Sequence, residues 1–389
     1  MRLTCLATAL SLLIATSASA QDSVSDVLAF LVTNQAVPTD DFVKDREAAS
    51  ATLDTISRFL QIELGSLPVG SSAAGYVYRL NPALGTVERA SENFGPFFLQ
   101  RALTSGARQV SIGLSFRHTA FETLDGRELR DGTLVTTANR LSNETQPFDV
   151  EALTLRLDAD TVTFSATYGI ADRLDVGAAI PVVHLALSGE RRNVYRGSVL
   201  QQAVGSASAT GLGDIAMRAK YSLGTVGSLR LAADVDLRLP TGSSNQLLGA
   251  GKAGVVVSAI GSIESRWVGS HFTFGVGQGG ASDAFNFGGA VAVSPTPRLT
   301  MVGEVSGRRL QDLAAVVDAT APHPTVPNVE TTRLLSGATG RNTAVALAGV
   351  KWNAIGTWLL GANVLLPMTD SGLTPGPTLT LALDYTFEM

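Results

Sequence analysis

Between residues 108 and 387, apolar and polar side chains alternate along the chain with a period of two. In the stretch 229–239, for example, leucine and valine hold odd positions while the charged residues hold even ones. This period is typical of an extended strand with one apolar and one polar face. We therefore predict an all-β region of twelve strands. They are expected to begin near residues 109, 161, 173, 212, 228, 252, 268, 285, 298, 342, 357 and 377.

The composition indicates where such strands reside. The chain is 45% apolar and only 16% charged, with a positive mean hydropathy of +0.21, whereas soluble domains carry about 25% charged residues. Beyond residue 20, however, the apolar runs are too short and interrupted for a membrane helix. Only helices and closed barrels satisfy their backbone hydrogen bonds in lipid. The sequence therefore predicts a transmembrane antiparallel β-barrel.

The predicted connections alternate between short and long. Tight turns are expected around Ala171, Thr225, Glu264, Thr296 and Asn353, and short periplasmic turns with longer outer loops are characteristic of outer-membrane barrels. We expect the three longest connections to face the outside of the cell. The longer, polar connections are predicted at 119–148, 188–211, 240–251, 279–284, 308–341 and 367–376.

One stretch leaves the strand count open. Leu153, Leu155 and Leu157 alternate on odd numbers, whereas the apolar residues from Val162 onward fall on even ones. A bulge near Asp158 would reverse the face within one long strand. A separate strand over 149–157 would instead require a partner and give fourteen strands. We favour the bulge and twelve strands.

Aromatic residues provide a check on this topology. In the predicted arrangement they fall at the end of the barrel that carries the short turns, as an interfacial girdle would. The residues concerned are Tyr168, Tyr221, Trp267, Trp352, Trp358, Tyr385 and Phe387.

The N-terminal region differs from the rest of the chain. Residues 1–20 have a basic start at Arg2, an apolar run and a small-residue cleavage pattern, which predict a signal peptide. Residues 21–107 are expected to be helical or irregular, with one helix from Asp40 to Leu60. That helix is either an amphipathic helix packed on another element or a plug in the barrel. Residues 108–389 would form the barrel, and the location would be the outer membrane.

Charged residues cluster in the predicted hairpin of residues 212–239. We expect their side chains to face the barrel interior, because a charge facing lipid near the midplane costs about 2–4 kcal/mol. They would form either a ladder of salt bridges or a mixed-charge constriction that orients solutes. Pairing of opposite charges favours a register with Arg218 opposite Asp234, Asp214 opposite Arg238, and Lys220 opposite Ala232. The candidate lumen-lining and solute-contact residues are Asp214, Arg218, Lys220, Arg230, Asp234, Asp236 and Arg238.

Three phrases resemble outer-membrane proteins of the phenol-degradation meta-pathway family. They lie at Tyr168–Gly177 with Ile180–Val183, at Gly211–Tyr221, and at Leu239–Gly251. The resemblance implies transport of hydrophobic or aromatic compounds and no catalysis on phenol. Asn81-Pro82-Ala83 is more weakly similar to a phrase in the N-terminal hatch of hydrocarbon and fatty-acid channels.

Other classes of function find little support in the residues. The net charge of −5 does not favour nucleic-acid binding, and Cys5 lies within the predicted signal peptide. The sequence lacks the hydrolase, zinc-protease and phosphate-loop motifs, so we expect no enzyme, cofactor or metal site. We predict a passive channel whose partners are outer-membrane lipid, a small solute and, during assembly, the barrel-assembly machinery. The alternative is a filled barrel that acts through its extracellular loops.

Overall fold

A computed structural model describes residues 22–32, 42–65, 78–81, 86–89, 91, 93–265, 267–323 and 325–389. The predicted signal peptide, the predicted helix start at Asp40 and two residues of the Asn-Pro-Ala phrase lie outside these residues. Two helices are described: α1 (Val24–Val32) and α2 (Phe42–Gly65). The second confirms the helix expected from the sequence. Within the described residues, no helix is both long and apolar enough to cross a membrane.

The strands follow the predicted alternation. The first nine are β1 (Tyr78–Asn81), β2 (Thr86–Arg89), β3 (Gln109–Leu124), β4 (Arg127–Glu128), β5 (Leu134–Leu141), β6 (Asp149–Ala171), β7 (Leu174–Tyr195), β8 (Ser198–Leu212) and β9 (Ile215–Val226). The others are β10 (Leu229–Leu239), β11 (Gly254–Glu264), β12 (Val268–Gly279), β13 (Ala284–Thr296), β14 (Leu299–Pro322), β15 (Val329–Ile355), β16 (Trp358–Pro367), β17 (Leu373–Pro375) and β18 (Thr378–Glu388).

Twelve of the described strands close into an antiparallel barrel. The order around the ring is β3, β6, β7, β9, β10, β11, β12, β13, β14, β15, β16 and β18, and β18 pairs with β3 to close it. Closure leaves no unpaired strand edge within the ring, as a bilayer requires. The twelve-strand prediction is confirmed, and the fourteen-strand alternative is wrong.

The outer face of the barrel is apolar. On β3, Ile112, Leu114 and Phe116 all point outward and are exposed. The predicted aromatic residues lie at the end with the short turns, where Trp358 and Tyr385 stack with ring centroids 4.6 Å apart. An apolar belt with an aromatic girdle places the protein in the outer membrane. The end with the short turns is called the periplasmic end hereafter, following the predicted orientation.

The wall has two heights. Strands β10 to β13 have 11 to 13 residues, while β6, β7, β14 and β15 have 22 to 27. At the outer end of the barrel, opposite the short turns, the long strands extend beyond the short ones. Strands β5 and β8 pair with these extensions. Much of 188–211 and 308–341, predicted as polar connections, is therefore strand. Their alternation continues there, with Ser206, Ser208 and Thr210 of β8 exposed and Ala203 and Ala207 buried.

The predicted bulge near Asp158 is wrong. Strand β6 keeps one register with β3 from Tyr168 to Leu157, and its odd-numbered residues face inward throughout. Leu153, Leu155 and Leu157 are fully buried on that inner face. The apparent change of face arises because the interior itself changes from polar at the periplasmic end to apolar at the outer end.

The predicted register of the β9–β10 hairpin is also wrong. Arg218 lies opposite Asp236, Lys220 opposite Asp234, and Arg238 opposite Ala216. A bulge between Leu231 and Ala232 shifts the ladder by one residue, and the pairs beyond it lie two positions away from the predicted register. Opposite charges still face each other, which is why charge pairing alone did not distinguish the two registers.

Candidate functional site

The outer half of the barrel encloses α1 and α2, hereafter the roof helices. Helix α1 packs against β7 and β8, and α2 packs against β14, β15 and β17. Their apolar side chains share one buried cluster with inward-facing leucines of the wall. The approach is close, because a Cβ on Gly189 would lie 2.8 Å from a methyl group of Leu31. The contributing roof residues include Val27, Leu28, Leu31, Ile56, Phe59 and Leu60.

The periplasmic half of the barrel encloses residues 93–106, hereafter the floor segment. Its backbone is held by charged side chains that point inward from the wall. The two carboxylate oxygens of Glu304 accept hydrogen bonds from the N–H groups of Phe97, Phe98 and Leu99. The ammonium of Lys351 donates to the carbonyl of Pro96 at 2.6 Å.

The other side of the floor segment is held in the same way. The ammonium of Lys220 donates to the carbonyl of Leu103 at 2.6 Å and to that of Arg101 at 3.2 Å. The carboxylate of Asp175 accepts from the N–H of Ser105 at 2.9 Å. A segment without regular structure needs partners for its buried N–H and C=O groups. The charged wall supplies them.

Between the roof helices and the floor segment lies a cavity of about 320 Å³. The end of α2 forms its upper side through Gln61, Ile62 and Glu63, and Phe98 and Leu99 form its lower side. The wall contributes charged residues from β3, β9, β10 and β14 and apolar residues from β14, β15 and β16. The cavity is therefore amphipathic.

The structure places five of the seven candidate residues on this cavity, namely Asp214, Arg218, Asp234, Asp236 and Arg238. Lys220 does not line it and is buried beneath the floor segment instead. Arg230 lies beside the short turn to β9, opposite Thr225, and is also away from the cavity. Solute contact by the five remains a prediction.

Arg218 is fixed by two carboxylates. Its Nε lies 2.7 Å from Asp236 Oδ1 and 3.2 Å from Asp234 Oδ2, and all three side chains are buried or nearly so. Asp214 has a different role: its carboxylate accepts the N–H groups of Gly242 at 3.0 Å and Ala250 at 2.8 Å. Asp214 therefore shapes the 240–253 connection and does not pair across the strand with Arg238.

Sequence reasoning missed the residues that the tertiary structure adds to the cavity. Arg117 on β3 and Arg308 on β14 both line it, as does Lys252 at the end of the 240–253 connection. Both arginines lie on the inward-facing side of their strands, so the period-two pattern is sufficient to identify them as interior residues. The floor segment carries no such pattern, and only its three nearby phenylalanines distinguish it in the sequence.

One buried cluster resembles a hydrolytic site in composition. Ser262 Oγ lies 2.9 Å from His271 Nδ1, and Glu264 lies 4.0 Å from the same nitrogen. A Ser-His-acid relay uses both ring nitrogens, one for each partner. Here both partners are on Nδ1, and Ser262 Oγ also accepts the N–H of Ala102. The geometry is that of a structural contact to the floor segment.

Metal binding has no candidate in the described part of the chain. No three His, Cys, Asp or Glu side chains there are grouped to hold a metal ion.

Comparisons with known proteins agree with the sequence motifs. The family model described as "Putative MetA-pathway of phenol degradation" matches residues 136–270, which include all three phrases. The resemblance predicted from those phrases is thus confirmed over roughly a third of the chain. A search of curated protein sequences gives no significant match.

Several solved β-barrels are similar in shape. An outer-membrane channel from Pseudomonas putida F1 is 12% identical, with 72% of this chain and 95% of that chain covered and a TM-score of 0.44. The toluene transporter TbuX of Ralstonia pickettii is 11% identical, with coverages of 84% and 100% and a TM-score of 0.30. The β-domain of the Bordetella autotransporter BrkA is 10% identical, with coverages of 72% and 100% and a TM-score of 0.35. Because these TM-scores are below 0.5, function has to be argued from this chain's own residues.

Proposed function

We propose that this protein is an outer-membrane channel for the passive passage of small hydrophobic or aromatic molecules, with residues 21–107 as its plug. The observation that carries the proposal is the amphipathic cavity inside the barrel, between the roof helices and the floor segment. Its volume of about 320 Å³ lies at the lower end of the range for small-molecule sites. The match of the phenol-degradation family model to residues 136–270 supports the solute class.

The mode of closure is part of the proposal. The roof helices share one large apolar cluster with the wall, and such contacts are non-directional and can be exchanged for contacts with an apolar solute. Two wall arginines also donate hydrogen bonds to them, Arg191 to the carbonyl of Leu31 at 3.2 Å and Arg117 to that of Glu63 at 3.3 Å. The floor segment is held by directional hydrogen bonds from buried charges. We therefore propose that the roof helices move to admit a solute, while the floor segment stays in place and borders a narrow exit.

The test is single-channel conductance in planar bilayers, before and after deletion of residues 21–64. The full chain is expected to conduct rarely and weakly, and the deletion variant to show longer and larger openings. Heat-modifiable mobility on SDS gels verifies that the shortened barrel is folded. Swelling of proteoliposomes with aromatic alcohols, compared with sugars of similar size, then reports on the solute class. Absence of conductance from both the full chain and the deletion variant would contradict the channel function.

A second candidate function is a filled barrel that acts through its extracellular part. The observation in its favour is that the roof helices and the floor segment both lie inside the barrel, while β5 and β8 extend the wall beyond its outer end. In that case deletion of residues 21–64 would destabilise the barrel and open no pore. The same bilayer experiment, with the same folding control, separates the two functions.

A further inference from the structure

The charges around the cavity are unevenly distributed. Three of its four carboxylates, those of Asp214, Asp234 and Asp236, lie on the side of β9 and β10. There Arg218 and two backbone N–H groups already engage them. On the opposite side the only cavity carboxylate is Glu63, at the end of α2. The described cations that line the cavity are Arg117, Arg218, Arg238, Lys252 and Arg308.

Three of these cations approach from directions that are spread evenly around the barrel. Arg117 is on β3, Arg238 on β10 and Arg308 on β14, which are the first, fifth and ninth strands of a ring of twelve. Arg308 is close enough to both of the others for electrostatic repulsion. Carboxylates oppose it, since Glu63 attracts Arg117, and Asp236 and Asp214 attract Arg238. Guanidinium groups that converge on one enclosed volume are stabilised by an anion between them.

The hydrogen bonds of Arg117 leave one of its N–H groups available to an anion in the cavity. Its terminal nitrogen donates to the backbone carbonyl of Glu63 at 3.3 Å. Its Nε is buried and has no hydrogen-bond partner among the described residues. A buried N–H without a hydrogen-bond acceptor is unfavourable. An anion in the cavity would supply the missing acceptor.

The surface between Arg308 and Arg117 is apolar except for Thr343. Going round the ring from β14 to β3, the cavity is lined by Leu310, Thr343, Val345 and Leu365. The floor segment adds Phe98 and Leu99 below them. A flat apolar ring fits against this strip, and a charged group attached to the ring would reach the arginines at its edges.

We infer that the cavity selects aromatic carboxylates, with the carboxylate held by Arg117 and Arg308 and the ring packed on Val345 and Leu365. This inference rests on the proposed channel function and narrows its solute class. Arg238 and Lys252 add positive potential on the outer side of the cavity and draw the anion inward. Glu63, the one acid on this side, moves away with α2 when the roof helices open.

The experiment compares two probes of nearly equal size, benzoate and benzyl alcohol, on the full-length mature protein. Binding is measured by calorimetry in detergent, and uptake is measured in proteoliposomes. Benzoate is expected to bind at least about tenfold more tightly than benzyl alcohol, a difference of about 1.4 kcal/mol. The preference should weaken as salt is raised.

Variants assign the preference to the arginines. The double variant R117Q/R308Q is expected to lose about tenfold in benzoate affinity and to bind benzyl alcohol unchanged. R309Q is the matched control, because Arg309 is adjacent on β14 and faces outward. R117K/R308K retains both charges and should retain much of the benzoate preference. This variant also tests the inference if R117Q/R308Q does not fold.

The outcomes separate the two proposals. Uptake of benzyl alcohol without a preference for benzoate would overturn the carboxylate inference and leave the channel function intact. Binding and uptake of neither probe would contradict both. A benzoate preference that survives R117Q/R308Q would show that other groups create it, and would also overturn the inference.

Discussion

The two halves of the barrel interior belong to the same strands and the same inward face, yet they hold their contents differently. At the outer end, leucines such as Leu155 and Leu185 pack on the roof helices. At the periplasmic end, Lys220, Glu304 and Lys351 bind the backbone of the floor segment. Apolar packing tolerates movement, whereas hydrogen bonds from buried charges fix one arrangement. This difference is the basis of the proposal that the roof helices move while the floor segment stays in place.

The largest effect is expected from removing a floor anchor. Glu304→Ala leaves one buried and two part-buried N–H groups of the floor segment without their acceptor. It also removes a carboxylate close to Lys351. Each unpaired buried group costs about 1–3 kcal/mol, so the barrel should lose about 5 kcal/mol of stability. The midpoint of the heat-induced mobility shift on SDS gels measures this loss.

Glu144→Ala is the matched control, since Glu144 is an exposed carboxylate in the connection between β5 and β6. It should leave the midpoint unchanged. Equal midpoints for the Glu304 and Glu144 variants would mean that the floor segment contributes little to the fold. The distinction between floor and roof would then disappear.

A smaller effect is expected from the roof. Leu155→Ala removes a fully buried side chain that packs in the cluster with α1, and such a truncation costs about 2–5 kcal/mol when the cavity stays empty. Because the roof helices can settle into the space, we expect the lower end of that range. The variant should also open more often in bilayers.

Arg156→Ala, one position along β6 and exposed, serves as its control and should behave as wild type. If Leu155→Ala lowered stability as much as Glu304→Ala and left channel opening unchanged, the roof would be as fixed as the floor.

The smallest effect concerns the fit between wall and roof. Gly189→Ala adds a Cβ 2.8 Å from Leu31 and 2.8 Å from the carbonyl of Thr154, and overpacking of this kind costs about 1–3 kcal/mol. It should shift α1 and raise channel opening slightly. Gly303→Ala adds the same methyl group where no atom lies within 4 Å, so only the first substitution should change the conductance trace.

Much of the wall could be predicted from the sequence. A side chain on a barrel strand faces either lipid or the interior, and the alternation of Leu237 and Arg238 is enough to assign each. The short turns, the aromatic girdle and the strand count follow from the same local pattern. Arg117 and Arg308 obey it as well, but nothing in the sequence indicated that they meet inside the barrel.

The register near the β9–β10 turn could not be predicted in this way. Two registers both bring opposite charges together, and the choice depends on a bulge at Leu231 and on the use of Asp214 to hold the 240–253 connection. The predicted change of face at Leu153 to Leu157 is wrong for a related reason. The prediction presumes a uniformly polar interior, whereas the outer half of the interior is apolar and packs on the roof helices.

The sequence by itself determined the fold class, the lipid-facing surface and the inward direction of the charged side chains, because each depends on a periodicity of neighbouring residues. Only the tertiary structure decided the position of the roof helices and the floor segment, and hence the cavity between them. Those positions depend on contacts between residues far apart in the chain, such as Glu304 with Phe97 and Lys220 with Leu103. No local pattern specifies such contacts, since they form only when the closed barrel brings its inner face around the N-terminal region.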